Sequence, residues 1–155
     1  MNTKRTTFRT GGCQCGAIRY RIAGNLGDAS ICHCRMCQKA FGAWGAALVS
    51  VPFVAFTGTK GKPGGFRSSA IVERGFCRDC GTPLFMREDG DPNIELAIGT
   101  LDQPNDIPPL SRQSAVESRL QWFMNMHALP DEKMSDARTS EDLRLLKSLQ
   151  HPDHD

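Results

Sequence analysis

A chain of 155 residues, 39% hydrophobic and 23% charged, is long enough for one ordinary domain with its own core and too short for two good ones. Its formal charge of +2 gives none of the basic excess of a phosphate-tracking surface, so nucleic acid is not expected as a partner. No stretch approaches the roughly 20 apolar residues that span a bilayer, so no membrane association is expected.

The polar start, Met1-Asn2-Thr3-Lys4-Arg5-Thr6-Thr7, leads into no apolar segment. No secretory signal is expected, and the expected compartment is the cytoplasm. Ile18, Tyr20 and Ile22 alternate with Arg19, Arg21 and Ala23, the period-two pattern of a half-buried strand, and residues 24–28 read as a turn. A second apolar run over 44–51 stops at Pro52, and 53–56 follows it. The segment 60–65, Lys-Gly-Lys-Pro-Gly-Gly, reads as a mobile loop. Short strands are expected over 69–76, 83–87 and 93–98, with at most one helical turn at 37–41. Pro104 to Leu110 reads as a surface crossover. Thr139 and Ser140 stand ahead of Glu141 and Asp142, with Leu143, Leu146 and Leu149 three apart, which predicts a short amphipathic helix docked on the domain's own surface. The fold class expected is mainly β with a short C-terminal helix.

Seven cysteines stand out in a chain without an export signal, where reducing cytosol disfavours disulfides and favours metal binding or chemistry. They form three groups: Cys13 and Cys15; Cys32, Cys34 and Cys37; Cys77 and Cys80. Closed zinc sites use four soft ligands, commonly two short-spaced pairs from distant parts of a chain. Cys15 and Cys80 are each followed by glycine, which allows a tight turn whose N–H groups point at sulfur. This pairs Cys13 and Cys15 with Cys77 and Cys80 in a closed structural site. Cys32, Cys34 and Cys37 remain as three ligands with one position free, the pattern of catalytic zinc. The alternative for these three is a second structural site completed by a remote ligand such as His127. His33, between two candidate ligands, reads as a packed histidine. His151 and His154 read as members of a frayed tail.

The motifs Gly12-Cys13-Gln14-Cys15-Gly16, Cys32-His33-Cys34-Arg35-Met36-Cys37-Gln38-Lys39, Arg74-Gly75-Phe76-Cys77-Arg78-Asp79-Cys80-Gly81-Thr82-Pro83-Leu84 and Gly99-Thr100-Leu101-Asp102 resemble the glutathione-dependent formaldehyde-activating enzyme family, which includes the centromere-protein-V-type domain. The resemblance runs over about residues 8–130. It implies a zinc-binding domain there, with 131–155 as a C-terminal extension. It further implies a β-tent of stacked antiparallel sheets. Two zinc ions per chain are implied, a structural one on Cys13, Cys15, Cys77 and Cys80 and a catalytic one on Cys32, Cys34 and Cys37. The type member joins formaldehyde to glutathione, giving S-hydroxymethylglutathione, a carbon–sulfur lyase reaction run in reverse. The family name does not determine the substrate here. One departure is visible: Ser114 stands eight residues before Trp122, where the family commonly has histidine.

The function expected is a zinc-dependent carbon–sulfur lyase type acting on a small-molecule thiol adduct, of glutathione or another thiol. The alternative is a non-catalytic, zinc-stabilised binding module. Arg35, Lys39, Arg74 and Arg78 lie near the cysteines and could hold carboxylates, although solvated surface charge is their plainer reading. Trp44 and Trp122 read as core. Nothing in the sequence sets the oligomeric state.

Overall fold

The computed structural model describes residues 8–154; segment 1–7, to which the expectation of no secretory signal refers, lies outside the described residues. In chain order the strands are β1 (Phe8–Gly12), β2 (Arg19–Ala23), β3 (Ala29–Cys32), β4 (Ala46–Pro52), β5 (Phe56–Lys60), β6 (Gly64–Arg67), β7 (Val72–Phe76), β8 (Pro83–Glu88), β9 (Asn93–Ala97) and β10 (Leu110–Ser114). Helix α1 (Arg35–Phe41) follows β3, and α2 (Met134–Ala137) and α3 (Ser140–Leu145) lie near the end. The mainly β class expected from sequence is what the chain adopts. No described helix is long and apolar enough to cross a membrane.

Two sheets form, one of order β1-β2-β5 and one of order β10-β3-β4-β9-β8-β7-β6. Every strand pairing is antiparallel except β10 with β3, which is parallel because β10 returns through the long, proline-containing crossover after β9. Tyr20 and Ile22 from β2 meet Val49, Val51, Leu84, Ile94 and Leu96 from the larger sheet in one apolar core. Central strand β4 is covered on both faces: Val49 and Val51 enter that core, while Leu48 joins a smaller cluster with Ala46 and Cys37 beside α1. This second face carries the three-cysteine group.

Several residues depart from their expected places. Arg19, assigned to the polar face of β2, is only 5% exposed, because Nη1 and Nη2 donate to Asp102 Oδ1 and Oδ2 at 3.0 and 2.5 Å. The supposed mobile loop 60–65 is half strand, since Lys60 ends β5 and Gly64 begins β6. Gly64 pairs with Phe76 in β6–β7, and a Cβ there would lie 2.9 Å from the Phe76 ring, so glycine serves close packing rather than freedom. Helix α3 has the expected cap, with Thr139 and Asp142 exchanging side-chain and backbone bonds. It ends after six residues, however, so Leu143, Leu146 and Leu149 do not stack along one face, and Leu145, Leu146 and Leu149 stay exposed. Trp122 is exposed too, not core.

Asp102 also accepts a bond from Thr10 Oγ1. Burial works against its ionised form, but Arg19 and Thr10 outweigh that and hold the carboxyl below its usual range. A depressed folded value means that the stabilisation is complete above the unfolded value near pH 4 and is lost as pH falls through the lower folded one. Asp102→Asn should therefore cost about 3 kcal/mol in urea unfolding at pH 7, since it removes the carboxylate charge that faces the buried Arg19 guanidinium. The wild-type protein should lose stability more steeply than the variant below about pH 4.

Candidate metal centres

The sulfurs of Cys13, Cys15, Cys77 and Cys80 all lie within 4.8 Å of one another. Cys13 and Cys15 occupy the turn between β1 and β2, and Cys77 and Cys80 the turn between β7 and β8. Each turn closes on its own backbone, with Gly16 N–H donating to Cys13 O and Gly81 N–H to Cys77 O, both at 3.0 Å. Both glycines have φ near the left-handed region, +73° and +78°, as the Cys-Gly steps implied. Sulfur separations are 3.5 Å for Cys13 and Cys15 and 3.8 Å for Cys15 and Cys77. That is too long for a disulfide of ~2.05 Å. It matches the edge of roughly 3.8 Å expected for a tetrahedron of sulfurs ~2.3 Å from one ion.

Neighbouring donors tune these thiols. Ile18 N–H donates to Cys13 Sγ at 3.2 Å. Thr82 Oγ1 accepts from Gln14 N–H at 3.1 Å and lies 3.1 Å from Cys80 Sγ, so one hydroxyl bridges the two turns. At Cys80, burial favours the thiol, but bonds from the Thr82 hydroxyl and backbone and from Cys15 bring it down to about 6. At Cys15 the backbone bond from Ala17 favours the thiolate, yet desolvation and the bonds from Cys13, Cys80 and Cys77 push it up to about 12. Crowded thiols of this kind cannot all ionise unless a cation lies among them, so the residues fit a metal ion.

Cys32, Cys34 and Cys37 form the second group, again with sulfurs within 4.8 Å. Cys32 ends β3, Cys34 caps α1 by accepting from Cys37 N–H at 3.3 Å, and Cys37 lies in the first turn. Burial pushes Cys37 up to about 12 against the pull of Arg74, whose Nη2 lies 3.5 Å from its sulfur. Cys32 is also penalised by burial but ends below its usual range through bonds from Cys34 N–H, Cys37 and the Ser114 hydroxyl. Among the described residues no fourth His, Cys, Asp or Glu joins this group, His127 included. Both groups could thus hold a metal ion, the first with four thiol ligands and the second with three.

The remaining candidates fall as follows. His33 is fully buried between Trp44 and Phe123, its Nε2 2.8 Å from Gln113 Oε1, a packed histidine as expected. Gln38 Nε2 donates to His33 O and Ser118 O, tying α1 to the segment after β10. Ser114 stands beside Cys32 as its partner in the β10–β3 pairing, and both line a cavity of about 210 Å³ with Leu48, Met86, Glu88 and Glu95. Burial raises Glu95 above the usual carboxylate range, opposed by a bond from Ser50. Arg74 is buried, not surface charge, whereas Arg35, Lys39 and Arg78 are exposed as expected. His151 is not frayed: its N–H donates to Gln14 O at 2.8 Å, beside the first cysteine group. Thr82 was missed because no spacing rule marks a hydroxyl two residues after a ligand.

The family described as glutathione-dependent formaldehyde-activating enzyme matches residues 8–116. A Schizosaccharomyces pombe protein named as an uncharacterized lyase is 36% identical over 84 residues, covering 49% of this chain and 55% of that protein, so the chain spans about half the length of this relative. A crystal structure of a Rhodobacter sphaeroides protein superposes with a TM-score of 0.53 at 19% identity, over 68% of this chain and 99% of that one, a likeness of fold alone.

Removing the bridging hydroxyl by Thr82→Val should lower the metal affinity of the four-cysteine group about tenfold, the usual effect of losing a group that orients a ligand. Competition with a chromogenic chelator measures it. Equal affinities would mean that the bridge contributes nothing to the metal site.

Proposed function

The chain belongs to the glutathione-dependent formaldehyde-activating enzyme family, and from that membership and its three-thiol group we propose that it is a zinc-dependent carbon–sulfur lyase-type enzyme acting on a glutathione or other thiol adduct. In this reading residues 8–130 are the zinc-binding domain and 131–155 an extension. Cys13, Cys15, Cys77 and Cys80 would hold a structural zinc, and Cys32, Cys34 and Cys37 a catalytic one. The observation that carries the proposal is that three converging thiols, two half-buried and one buried, gain no fourth protein ligand among the described residues, and Cys32 lines a cavity. The lyase name of the Schizosaccharomyces pombe relative supports the reaction type.

When bound by three thiolates, zinc supplies a Lewis-acidic position suited to a substrate thiolate or a hydroxymethyl oxygen. The chain's own residues do the rest. Arg74 offsets the charge gathered at Cys37. Ser114, whose hydroxyl donates to Ile31 O, stands beside Cys32 and borders the carboxylate-lined cavity on one side of the three thiols, so serine in place of the family's histidine leaves that wall smaller and uncharged. In the condensing direction a thiol loses its proton, its sulfur bonds to the aldehyde carbon, and the aldehyde oxygen gains a proton; cleavage is the reverse. Glu95, whose carboxyl burial raises above its usual range and which lines the same cavity, is our candidate to take up and return that proton. A free thiol, with a pKa of about 8.5, needs such help near pH 7.

Cys34→Ser tests the reading, assayed on hydroxymethyl adducts of glutathione, cysteine and small aliphatic thiols. Turnover should fall by more than the about 100-fold of an outer-shell change, with the fold and the other metal site intact. Unfolding of this variant would make the second site structural. A wild-type protein that turns over none of the adducts would favour a binding module.

A further inference from the structure

Arg74 lies in the middle of β7, only 7% exposed. Its Nε donates to Ser68 Oγ at 3.0 Å and its Nη2 faces Cys37 Sγ at 3.5 Å. Its Nη1 is buried and has no partner, and no carboxylate of the described residues pairs with the guanidinium. An orphaned donor on a buried cation is costly unless something completes it. The same side chain lines a cavity of about 390 Å³ between α1 and edge strand β6. The charged residues of this cavity are Arg35, Lys39 and Arg74, with no acid among them. The rest of its wall is mainly Met36, Ala40 and Phe66, of which Met36 and Phe66 are 44% and 62% exposed.

The cavity does not end there. A second one of about 250 Å³ shares Ala40, Phe66 and Arg74 with it and continues between Phe41, Phe76 and Phe85. The result is one groove, cationic at its α1 end and aromatic along its length, with the Arg74 side chain lining both parts. A neutral apolar ligand would leave the cationic end unpaired, and a small hydrated anion would leave the aromatic walls wet. Only a molecule with both parts satisfies the groove.

We propose that this groove binds a carboxylate carried on an apolar body, with the carboxylate on Arg74 and the body against Phe66 and its aromatic neighbours. In taking that molecule for the thiol-bearing substrate, the inference rests on the function proposed above and narrows it: the thiol partner is an apolar carboxylate rather than a uniformly polar peptide. The binding itself does not depend on turnover.

Calorimetry of the metal-loaded, full-length protein decides the matter with three thiol-free probes: 3-phenylpropionate, its neutral amide, and acetate. The acid should bind about tenfold or more tightly than either, since a hydrogen bond to a charged group and the apolar contact act together. Arg74→Gln should abolish the preference for acid over amide. Lys39→Gln, on the exposed face of α1, should weaken the acid two- to threefold (a rim charge, about 0.5 kcal/mol) and leave the amide unchanged. Phe66→Ser should bring the acid down to the level of acetate, and these two exposed variants decide the question should Arg74→Gln fail to fold. Equal binding of acid and amide, no binding of the acid, or a preference unmoved by the variants overturns the proposal. A protein that binds the acid yet processes no thiol adduct would refute the enzymatic reading and leave the groove standing.

Discussion

Four sulfurs from two turns, the closest cross-turn pair separated by 62 positions in the chain, converge within 4.8 Å. Thiols so close cannot all ionise without a cation between them, and as thiols they leave each other poorly bonded. This convergence ties the three-stranded sheet to the far turn of the seven-stranded one. Other contacts gather around the same point: the buried Arg19–Asp102 pair, the 2.8 Å bond between Tyr20 Oη and Thr100 Oγ1, and the docking of His151 on Gln14. Packing between the sheets supplies the apolar area, while the sulfur group determines how the first hairpin is hung on the rest.

The second group stands differently in the architecture. Its sulfurs lie on the opposite face of β4, where Cys37, Ala46 and Leu48 form a small buried apolar cluster. The main core of Ile22, Val49, Val51 and Leu96 does not pass through it. The group occupies the end of a strand and the start of a helix, with cavities on either side. Arg74 connects it to the aromatic groove, and Ser114 connects it to the cavity containing Glu95. The two cavities differ in kind, one cationic and apolar, the other rich in carboxylates, so the surroundings of the three thiols are asymmetric.

Much of this was legible in the residues. The alternation around Tyr20, the apolar run before Pro52 and the grouping of the cysteines each depend on local spacing, and each appears where spacing puts it. The Cys-Gly steps foretold both turns because a left-handed residue favours glycine. What was hidden depends on partners distant in sequence. Arg19 looks like a solvent residue until Asp102 arrives 83 positions later, and Arg74 until α1 packs over it. Glycines at 64 and 65 suggested freedom, since the chain alone does not show that β7 lies against them. The leucines of the tail suggested a docked helix because periodicity cannot reveal where a short helix stops.

Native mass spectrometry of the purified chain, before and after mild chelation, measures the central claim most directly. The account predicts two zinc ions per chain, one leaving readily from Cys32, Cys34 and Cys37 with the circular dichroism unchanged, the other retained until the protein unfolds. A single ion per chain, or the loss of both with the fold intact, would contradict it.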